Sequence, residues 1–565
     1  MLGVSRLVKS ISVVLAAWLM CACGGDGLNA QDNQKAAEEK EPEQYSLPVI
    51  GQVYELSSAD TKVFEVHTDT LDDASVWAVW LENHGGQDQL MIRRYLSKNY
   101  LWNVSATRLD SSSGDARLAQ LAIDAVGSVT ALWTQDNAVG RSELHARYYN
   151  KYHGRWRAAD VIDSPNIAGD SDSPLVVAHS QGQVSAIWRQ LDGAVWRLMG
   201  SNYEPTIATW SEPVMIGNGT GSVDGLQLAV DLNGTVTALW REFDGLVSNL
   251  WVTRRGVGGA WATAAQLSDR VEGSVLSAKL VVDIGGNAVV AWVQDTAGVH
   301  RLWVTRYDKN QQQWQVATSL SSSSSSVGVY DLAVTPNTEV TVAWLQDNGV
   351  VDQLWLSRFQ NNAWQASKAM GAGVNPTDDF LLLVDDRNKT TLTWRETANN
   401  GQSLWSQHYW AGWRSVERVD QGLDGAVLNS LASVVDVFGN VTLAWLSNIG
   451  QYQDVSVNRY NMNSGWQGAD VVEALNEGDA SDPRLLVDGR GDVTLAWSQY
   501  HDSDNHLLAS RYPLNLARWG EVNKIDLRTS GEELNFDVIV DETGDVTSFW
   551  LQQGDEAKAL WSNRF

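Results

Sequence analysis

One tryptophan recurs ten times along the chain at nearly constant spacing, and this periodicity constrains the fold more than any other feature. Successive copies are 50 to 55 residues apart, at positions 80, 133, 188, 240, 292, 344, 394, 445, 497 and 550. Self-similarity at such a period indicates a repeat architecture, in which each copy is one small unit that buries its apolar face against its neighbours. Residues 45–565 are therefore predicted to form one repetitive body.

Each copy is predicted to contain four short β-strands, which we call A to D. In the clearest copy, residues 226–240, two apolar runs flank Asp231 and Gly234. Asp can bond the backbone of a tight turn and Gly supplies a positive φ, so this pair predicts the turn between strands A and B. Strand B ends at the recurring Trp, strand C ends in an Arg-Tyr type pair fourteen residues later, and strand D holds a second Trp in nine copies.

The arrangement of the four strands favours a ring. Strand B is apolar or small on both faces, so each sheet is covered on both sides, as in sheets stacked around an axis. The tenth copy ends after strand C, and residues 44–56 precede the first strand A at the place of a strand D. The sequence therefore predicts an all-β propeller of ten four-stranded blades closed by an N-terminal strand. Two rings of five blades and an open array of blades are the alternatives left open.

The first 23 residues have the layout of a secretory signal, with a short basic start and an apolar run from Ile11 to Met20. This run is too short to span a bilayer permanently. Residues 19–24, Leu-Met-Cys-Ala-Cys-Gly, resemble the lipobox of bacterial lipoproteins. The resemblance implies acylation of Cys23 and an outer-membrane anchor, with the face of that membrane left open. Cys21 fits the motif less well, because a bulky methionine would precede the cleavage site, and an ordinary cleaved signal with incidental cysteines is the other interpretation.

The remaining composition limits the partners. Residues 24–44 contain almost no large apolar side chain and are predicted to be a flexible acidic tether for the body at 45–565. The formal net charge of −27 repels nucleic acid and anionic membrane surfaces, so a neutral or cationic ligand and no nucleic acid are expected. The only cysteines are Cys21 and Cys23, so the body contains no disulfide and must be stabilised by packing.

Tryptophan is used architecturally. The chain has 28 Trp against 8 Phe, and three recurring positions account for 24 of the 28; the others are Trp18, Trp77, Trp196 and Trp410. A Glu or Gln also follows two residues after the core Trp in nine copies, as in Gln294. We interpret this residue as a partner for buried polar groups of the neighbouring blade, because a substrate site would require the copies to differ.

The repeat is similar to the Trp- and Asp-rich β-propeller repeats of bacterial surface proteins over residues 45–565, a resemblance that implies the fold but no particular function. It is also distantly similar to the Asp-box turn of sialidase-like propellers, although the Asp-to-Trp interval is nine residues instead of five.

No nucleophile elbow, His-Glu-x-x-His motif or phosphate loop occurs, so no catalytic residue, metal or cofactor is predicted. Acidic clusters around Asp170 and Asp479 could hold calcium, but solvated loop carboxylates are commoner.

Function is expected where the copies differ, which is in the loops from B to C and from D to A at one end of the propeller. The candidate ligand-binding residues are Arg189, Arg241, Arg395, Asp347 and His506. The three arginines directly follow a core Trp, and they either share one carboxylate-binding site or form local ion pairs, for example with Glu242 and Glu396. Asp347 and His506 are expected to be loop residues whose replacement weakens binding without lowering stability.

Two functional hypotheses follow from these features. The leading one is a lipid-anchored, non-enzymatic binding or assembly platform for protein, peptide or glycan at the cell envelope. The alternative is a polysaccharide-active or sialidase-like glycoside hydrolase, which would need paired carboxylates about 5 to 10 Å apart in the channel.

Overall fold

The computed structural model describes most of the predicted propeller body. The described residues are 50–565 apart from 58–60, 71–73, 98–100, 104, 111–113, 180–181, 218, 270–271, 348, 372–374, 386, 399–400, 422–427, 449–450, 473–477, 502–503, 527–534, 542 and 554–557. Residues 1–49, with the predicted signal, Cys23 and the tether, lie outside the described residues. Within the described ranges, the regular elements are β-strands, and no helix is long and apolar enough to cross a membrane.

The strands form ten antiparallel sheets, which are the predicted blades, numbered 1 to 10 in chain order. From blade 1 to blade 10, strand A is Lys62–Thr70, Ala116–Ile123, Ser171–Ala178, Ser222–Val230, Val275–Val282, Val327–Val334, Thr377–Val384, Leu428–Val435, Ala480–Val487 and Phe536–Val540. In the same order, strand B is Val76–His84, Val129–Asp136, Val184–Asp192, Val236–Phe243, Ala288–Thr296, Val340–Asp347, Thr390–Ala398, Val441–Ser447, Val493–His501 and Val546–Gln553.

Strand C is equally regular, whereas strand D is short and often broken in two. Strand C is Gln87–Leu96, Ser142–Asn150, Val195–Glu204, Ser248–Arg255, Val299–Asp308, Asp352–Gln360, Gly401–Tyr409, Asp454–Asn461, Asp504–Tyr512 and Lys558–Arg564. Strand D is Leu101–Trp102 with Thr107–Arg108, Arg155–Trp156 with Asp160–Val161, Thr209–Trp210 with Val214–Met215, Ala265–Gln266, Gln313–Trp314 with Thr318–Ser319, Ala363–Trp364 with Lys368–Ala369, Glu417–Arg418, Gly465–Trp466 with Asp470–Val471, Asn523–Lys524 and, for blade 10, Gln52–Glu55.

The turn between strands A and B is built as the sequence predicts. In blade 4, Oδ1 of Asp231 accepts the backbone N–H groups of Asn233 and Thr235, both at 2.9 Å. Gly234 has a φ of 77°, which a residue with a side chain rarely adopts. The Asp side chain therefore takes the place of a backbone acceptor, and the chain reverses within four residues.

The recurring Trp of strand B is the core of every blade. All ten are at most 1% exposed, and Trp292 packs against residues of the preceding blade such as Leu250 and Val252. Its indole N–H donates to Oε1 of Gln294 at 3.1 Å, and an equivalent bond occurs in eight blades. Gln294 Nε2 then donates to backbone carbonyls of the loop that arrives from blade 4, at 2.7 and 2.8 Å. The structural interpretation of the recurrent Glu or Gln is confirmed.

Among the described residues, the indole N–H groups of Trp188 in blade 3 and Trp445 in blade 8 lack this bond, and blade 8 allows the bond to be tested. Ser447 stands where Gln stands elsewhere, and the buried indole N–H of Trp445 has no partner among the described residues. We expect Gln294→Ala to lower the free energy of unfolding by about 1–3 kcal/mol, because a buried donor and two carbonyls lose their partners. Ser447→Gln, which supplies the missing acceptor, is expected to raise the melting temperature. Thermal unfolding of both variants checks this, and an unchanged melting temperature of the Gln294→Ala variant would contradict it.

The Arg that ends strand C joins its own blade to the next one. Arg459 Nη2 lies 2.5 Å from Oδ2 of Asp436 in the turn of blade 8, and its guanidinium lies 4.8 Å from the ring centre of Tyr512 in blade 9. The same stacking on the next blade recurs for Arg254 on Tyr307, Arg306 on Phe359, Arg358 on Tyr409 and Arg564 on Tyr95. The Arg-Tyr pattern of the sequence is therefore a contact between blades, with the Arg supplied by one blade and the aromatic ring by the next.

The N-terminal strand closes the ring. Gln52–Glu55 pairs antiparallel with Lys558–Arg564 and completes blade 10. Blades 10 and 1 also meet at their first strands, where Thr68 Oγ1 lies 3.3 Å from Asp537 Oδ2. The prediction that residues from 44–56 supply the missing strand D is confirmed for the described strand.

Strand A is the inner strand of each blade, because neighbouring A strands bond directly to one another. Lys279 Nζ of blade 5 lies 2.7 Å from Asp331 Oδ1 of blade 6, and Gln227 Nε2 of blade 4 donates to the carbonyl of Ala278 in blade 5 at 2.6 Å. Blades 5 and 6 are thus joined in the same way as blades 10 and 1. The structure is one ten-bladed propeller, and the two alternatives, paired rings of five and an open array, are wrong.

Candidate ligand-binding face

The two ends of the propeller carry different loops. In blade 4, Val230 faces Val236 beside the Asp-Gly turn, and Phe243 at the far end of strand B faces Ser222 and Ser248. The B-to-C and D-to-A loops therefore share one end, which we call the loop end, and the Asp-Gly turns and C-to-D loops share the other, which we call the turn end. This placement agrees with the sequence analysis.

A β-bulge near the start of strand A shapes the inner rim of the loop end. The register of the A–B pair shifts at this place in blades 1 to 9. Ser173, Ser430 and Asp482 adopt left-handed φ values of 48–49° at the bulge, although none is glycine. Such a conformation persists only where the surrounding sheet imposes it. Because a bulge re-aims side chains, the residues at this place in strand A project differently from those of a regular ladder.

The three candidate arginines form the same ion pair on three blades. Arg189 binds Asp172 through two bonds of 2.7 and 2.5 Å, from Nε to Oδ1 and from Nη2 to Oδ2. Arg241 lies 2.8 Å from an oxygen of Asp224, and Arg395 is paired at 3.6 Å with the carboxylate seventeen residues before it, that of Asp378. In each case the Asp belongs to the strand A bulge of the same blade.

Arg189 and Arg241 also reach the next blade rather than one another. Arg189 Nη1 donates to the carbonyl of Val223 at 3.2 Å, and Arg241 Nη1 donates to the carbonyl of Leu276 at 2.5 Å. Arg189 and Arg241 occupy neighbouring blades, but Arg395 is three blades further along the ring. The structure thus supports local ion pairs, and the guanidinium groups of Arg189 and Arg241 also join two blades at the rim.

The glutamates suggested as partners have a different role. Glu242 Oε1 accepts the hydroxyl of Thr220 at 2.6 Å and the backbone N–H of Gly221 at 3.0 Å, which fixes the D-to-A loop. Glu396 accepts the indole N–H of Trp394 at 2.9 Å. The sequence interpretation therefore chose the right kind of interaction for the arginines but the wrong carboxylates, because the bulge brings strand A aspartates opposite them.

In each of the two acidic clusters considered for calcium, one aspartate accepts a backbone hydrogen bond from the preceding blade. Asp170 accepts the N–H of Ser142 at 2.9 Å, and Asp479 accepts the N–H of Gln453 at 2.8 Å, each at the start of strand C in the preceding blade. Serines have this role at other blade junctions, at positions 222, 274 and 326. Within the described residues, no group of three or more His, Asp or Glu side chains is placed to hold a metal ion.

The last two candidates lie in different surroundings. Asp347 ends strand B of blade 6, is exposed at the loop end and caps its own loop by accepting the N–H of Gly349 at 2.7 Å. His506 is only 6% exposed and lies within strand C of blade 9, with Nδ1 3.3 Å from Oδ2 of the buried Asp526. The expectation that His506 is a loop residue is wrong. Because its ring is a partner of a buried carboxylate, its replacement is now expected to lower stability.

The structure adds an apolar patch that the sequence analysis missed. Phe243, Leu246 and Leu276 are 47, 76 and 41% exposed at the loop end where blades 4 and 5 meet. Phe243 lies two residues after Arg241 on strand B, so both side chains share the face toward blade 5, where Arg241 bonds the backbone of Leu276. We call Arg241, Phe243, Leu246 and Leu276 the blade 4–5 patch. A signal existed in the sequence, since seven of ten copies have a polar residue three positions after the core Trp and Phe243 is an exception.

Comparisons with known proteins add no functional argument. No family model and no curated protein matches the chain. Similar solved structures include a eukaryotic initiation factor, with 9% identity over 74% of this chain and 90% of the other, at a TM-score of 0.39. They also include a polysaccharide lyase, with 9% identity over 68% of this chain and 88% of the other, at 0.33. A third is an α-L-arabinofuranosidase from Fusarium graminearum, with 10% identity over 54% and 95%, at 0.29.

Proposed function

We propose that this protein is a cell-envelope lipoprotein that acts as a non-enzymatic binding platform, and that its ligand is a protein or peptide held at the loop end. The observation that carries the proposal is the blade 4–5 patch. Elsewhere at this end, the polar side chains that recur between copies stabilise the ring: Gln294 binds loop carbonyls, Asp170 binds the preceding blade, and Asp172 binds Arg189. The patch instead offers apolar surface that the described contacts leave in solvent.

The chemistry of the patch suits an amphipathic ligand. Large apolar side chains on a partner can pack against Phe243 and Leu246, which is how a few central residues supply most of the affinity of protein interfaces. The Asp224 side chain, 51% exposed beside them, adds negative charge that its single bond to Arg241 leaves accessible. With a net charge of −27, the chain attracts neutral or basic segments and repels acidic ones.

A photo-crosslinking experiment tests this assignment. We expect a benzophenone amino acid at position 246 to capture a protein partner from an envelope extract, because Leu246 is 76% exposed at the centre of the proposed interface. The matched control is the same group at position 207, since Ile207 is 70% exposed but lies on the turn end of blade 3. Crosslinked partners that are identical at the two positions, or found only at 207, would contradict the proposal.

The envelope location rests on the sequence motif around Cys23. We expect Cys23→Ser to abolish acylation and leave the precursor uncleaved, whereas Cys21→Ser is expected to be processed normally, because only Cys23 has a small residue before it. Metabolic labelling with a fatty acid and fractionation of membranes measure both outcomes. Equal labelling of the two variants would contradict the assignment of Cys23 as the acylated residue.

A further inference from the structure

Three tryptophans of the body fall outside the repeated positions, and the structure gives two of them a packing role. Trp77 is 3% exposed and makes an edge contact with Tyr149, with ring centres 4.9 Å apart. Trp196 lies under the guanidinium of Arg189, at 4.8 Å. Trp410 is different: it stands in the C-to-D turn of blade 7, on the turn end, and is 52% exposed. Its exposure is not explained by the fold.

Basic side chains surround this exposed ring. Lys389 Nζ lies 4.7 Å and the guanidinium carbon of Arg414 lies 5.7 Å from the ring centre of Trp410. In the adjoining turn of blade 8, Phe438 is 43% exposed, and Arg387 reaches across to donate to its carbonyl at 3.1 Å. The result is a surface of two aromatic rings and three cations that spans blades 7 and 8.

The three cations of this surface form no ion pair with the described residues. In the described part of the chain, no carboxylate lies within 4.0 Å of the charged atoms of Arg387, Lys389 or Arg414. The neighbouring turn of blade 9 shows the contrast, because Arg490 there pairs with Asp488 at 2.9 Å. Unpaired guanidinium groups beside exposed aromatic rings are typical of sites for carboxylate, sulfate or phosphate groups.

Two of the three cations, Lys389 and Arg387, lie close enough to the buried Asp385 to favour its charged form. Blade 7 has His408 where eight blades have the Arg of strand C, and burial together with the charge of Lys389 lowers the pKa of His408 to about 4. The ring is therefore neutral at neutral pH, and it stacks on Tyr460 at 3.8 Å. Lys389 is then a cation that faces the buried Asp385, whose pKa is raised by burial and lowered in part by the charges of Lys389 and Arg387. Arg414 has no such role.

We propose that Trp410, Arg387 and Arg414 form a second binding site, on the turn end, for a carboxylated sugar. The apolar C–H face of a pyranose ring packs on the exposed indole, and the sugar carboxylate accepts hydrogen bonds from the guanidinium groups. Phe438 extends the apolar surface toward blade 8, so the site accommodates more than one sugar unit. The net charge of −27 disfavours long polyanions, so the site selects short or terminal acidic sugars.

Calorimetric titration with trigalacturonate and with its methyl ester, which has the same rings without charge, tests this site on the intact chain. We expect trigalacturonate to bind at millimolar or lower concentration and the ester to bind at least about tenfold more weakly. Trp410→Ala is expected to weaken both ligands. The double variant Arg387→Gln with Arg414→Gln is expected to abolish the preference for the acid. Added salt is expected to weaken only the acid.

The control variant is Tyr152→Ala, because Tyr152 is 81% exposed in the equivalent turn of blade 2 on the same end. It is expected to leave both titrations unchanged. Absence of binding at 5 to 10 mM trigalacturonate, roughly the weakest useful affinity, would overturn the proposal. So would equal affinity in the wild type and Trp410→Ala, or equal affinity for acid and ester in the wild type. Binding at the loop end, tested by crosslinking at position 246, is independent of these results.

Discussion

Trp292→Ala is expected to lower the free energy of unfolding by about 3–5 kcal/mol. Trp292 is 1% exposed and fills the space between blades 4 and 5, against side chains that include Leu239 and Val275. Removing the indole leaves a cavity that a rigid stack of sheets cannot fill, and it leaves Gln294 Oε1 without its donor at 3.1 Å. Because the same Trp recurs in every blade, this cost measures how strongly one blade is held to the next.

Denaturant unfolding followed by circular dichroism measures the effect. Trp410→Ala is the matched control, since it removes the same side chain from a position that is 52% exposed, and it is expected to change the free energy of unfolding by less than about 1 kcal/mol. Similar values for the two variants would show that the recurring Trp is not the core of the fold.

Deletion of residues 44–56 is expected to destabilise the propeller by on the order of 5 kcal/mol, with the loss centred on blade 10. The deletion removes Gln52–Glu55, which hydrogen-bonds along Lys558–Arg564, and Leu56, which is 3% exposed. It also removes the carbonyl of Glu55, which accepts the guanidinium of Arg93 in blade 1 at 3.0 Å. The ring thus loses its closing strand and a bond across the closure.

Hydrogen exchange locates this effect. We expect lost protection in strand C of blade 10 and in the strand that ends near Trp550, while blades 4 to 6 exchange as before, because contacts in a repeat ring act mainly between neighbours. Deletion of 24–44, the predicted tether, is the control and is expected to leave exchange unchanged. Unaltered protection around Trp550 after deletion of 44–56 would show that the closing strand is dispensable.

Most of this architecture could be predicted from the sequence, because the same residue types recur at equivalent positions of successive blades. The fixed interval from Trp240 to Arg254 is set by a hairpin whose strands must pair in one register. The Asp231 turn and the bond from Trp292 to Gln294 follow from groups that must be satisfied wherever they are buried. The turn Asp recurs in seven copies and the Glu or Gln in nine, which made these predictions possible, and the missing last strand pointed to the N-terminal segment.

The candidate site was less predictable, because it depends on departures from the repeat. The pairing of Arg241 with Asp224 requires the bulge in strand A, and a register shift is not visible in the order of residues. His506 was assigned to the B-to-C loop, but in the structure strand C of blade 9 begins already at Asp504 and includes His506. Phe243 was missed because an apolar residue at the end of a strand is usually buried, and only the structure shows it 47% exposed.

The loop end is proposed to bind its ligand through the blade 4–5 patch. The affinity of the crosslinked partner for a Phe243→Ser, Leu246→Ser double variant tests this proposal, measured by surface plasmon resonance against Ile207→Ser as control. We predict that the double variant binds at least about tenfold more weakly, a loss of about 1.4 kcal/mol, while the control binds as the wild type does. Undiminished binding by the double variant, or weakened binding by the Ile207→Ser control alone, would contradict the claim.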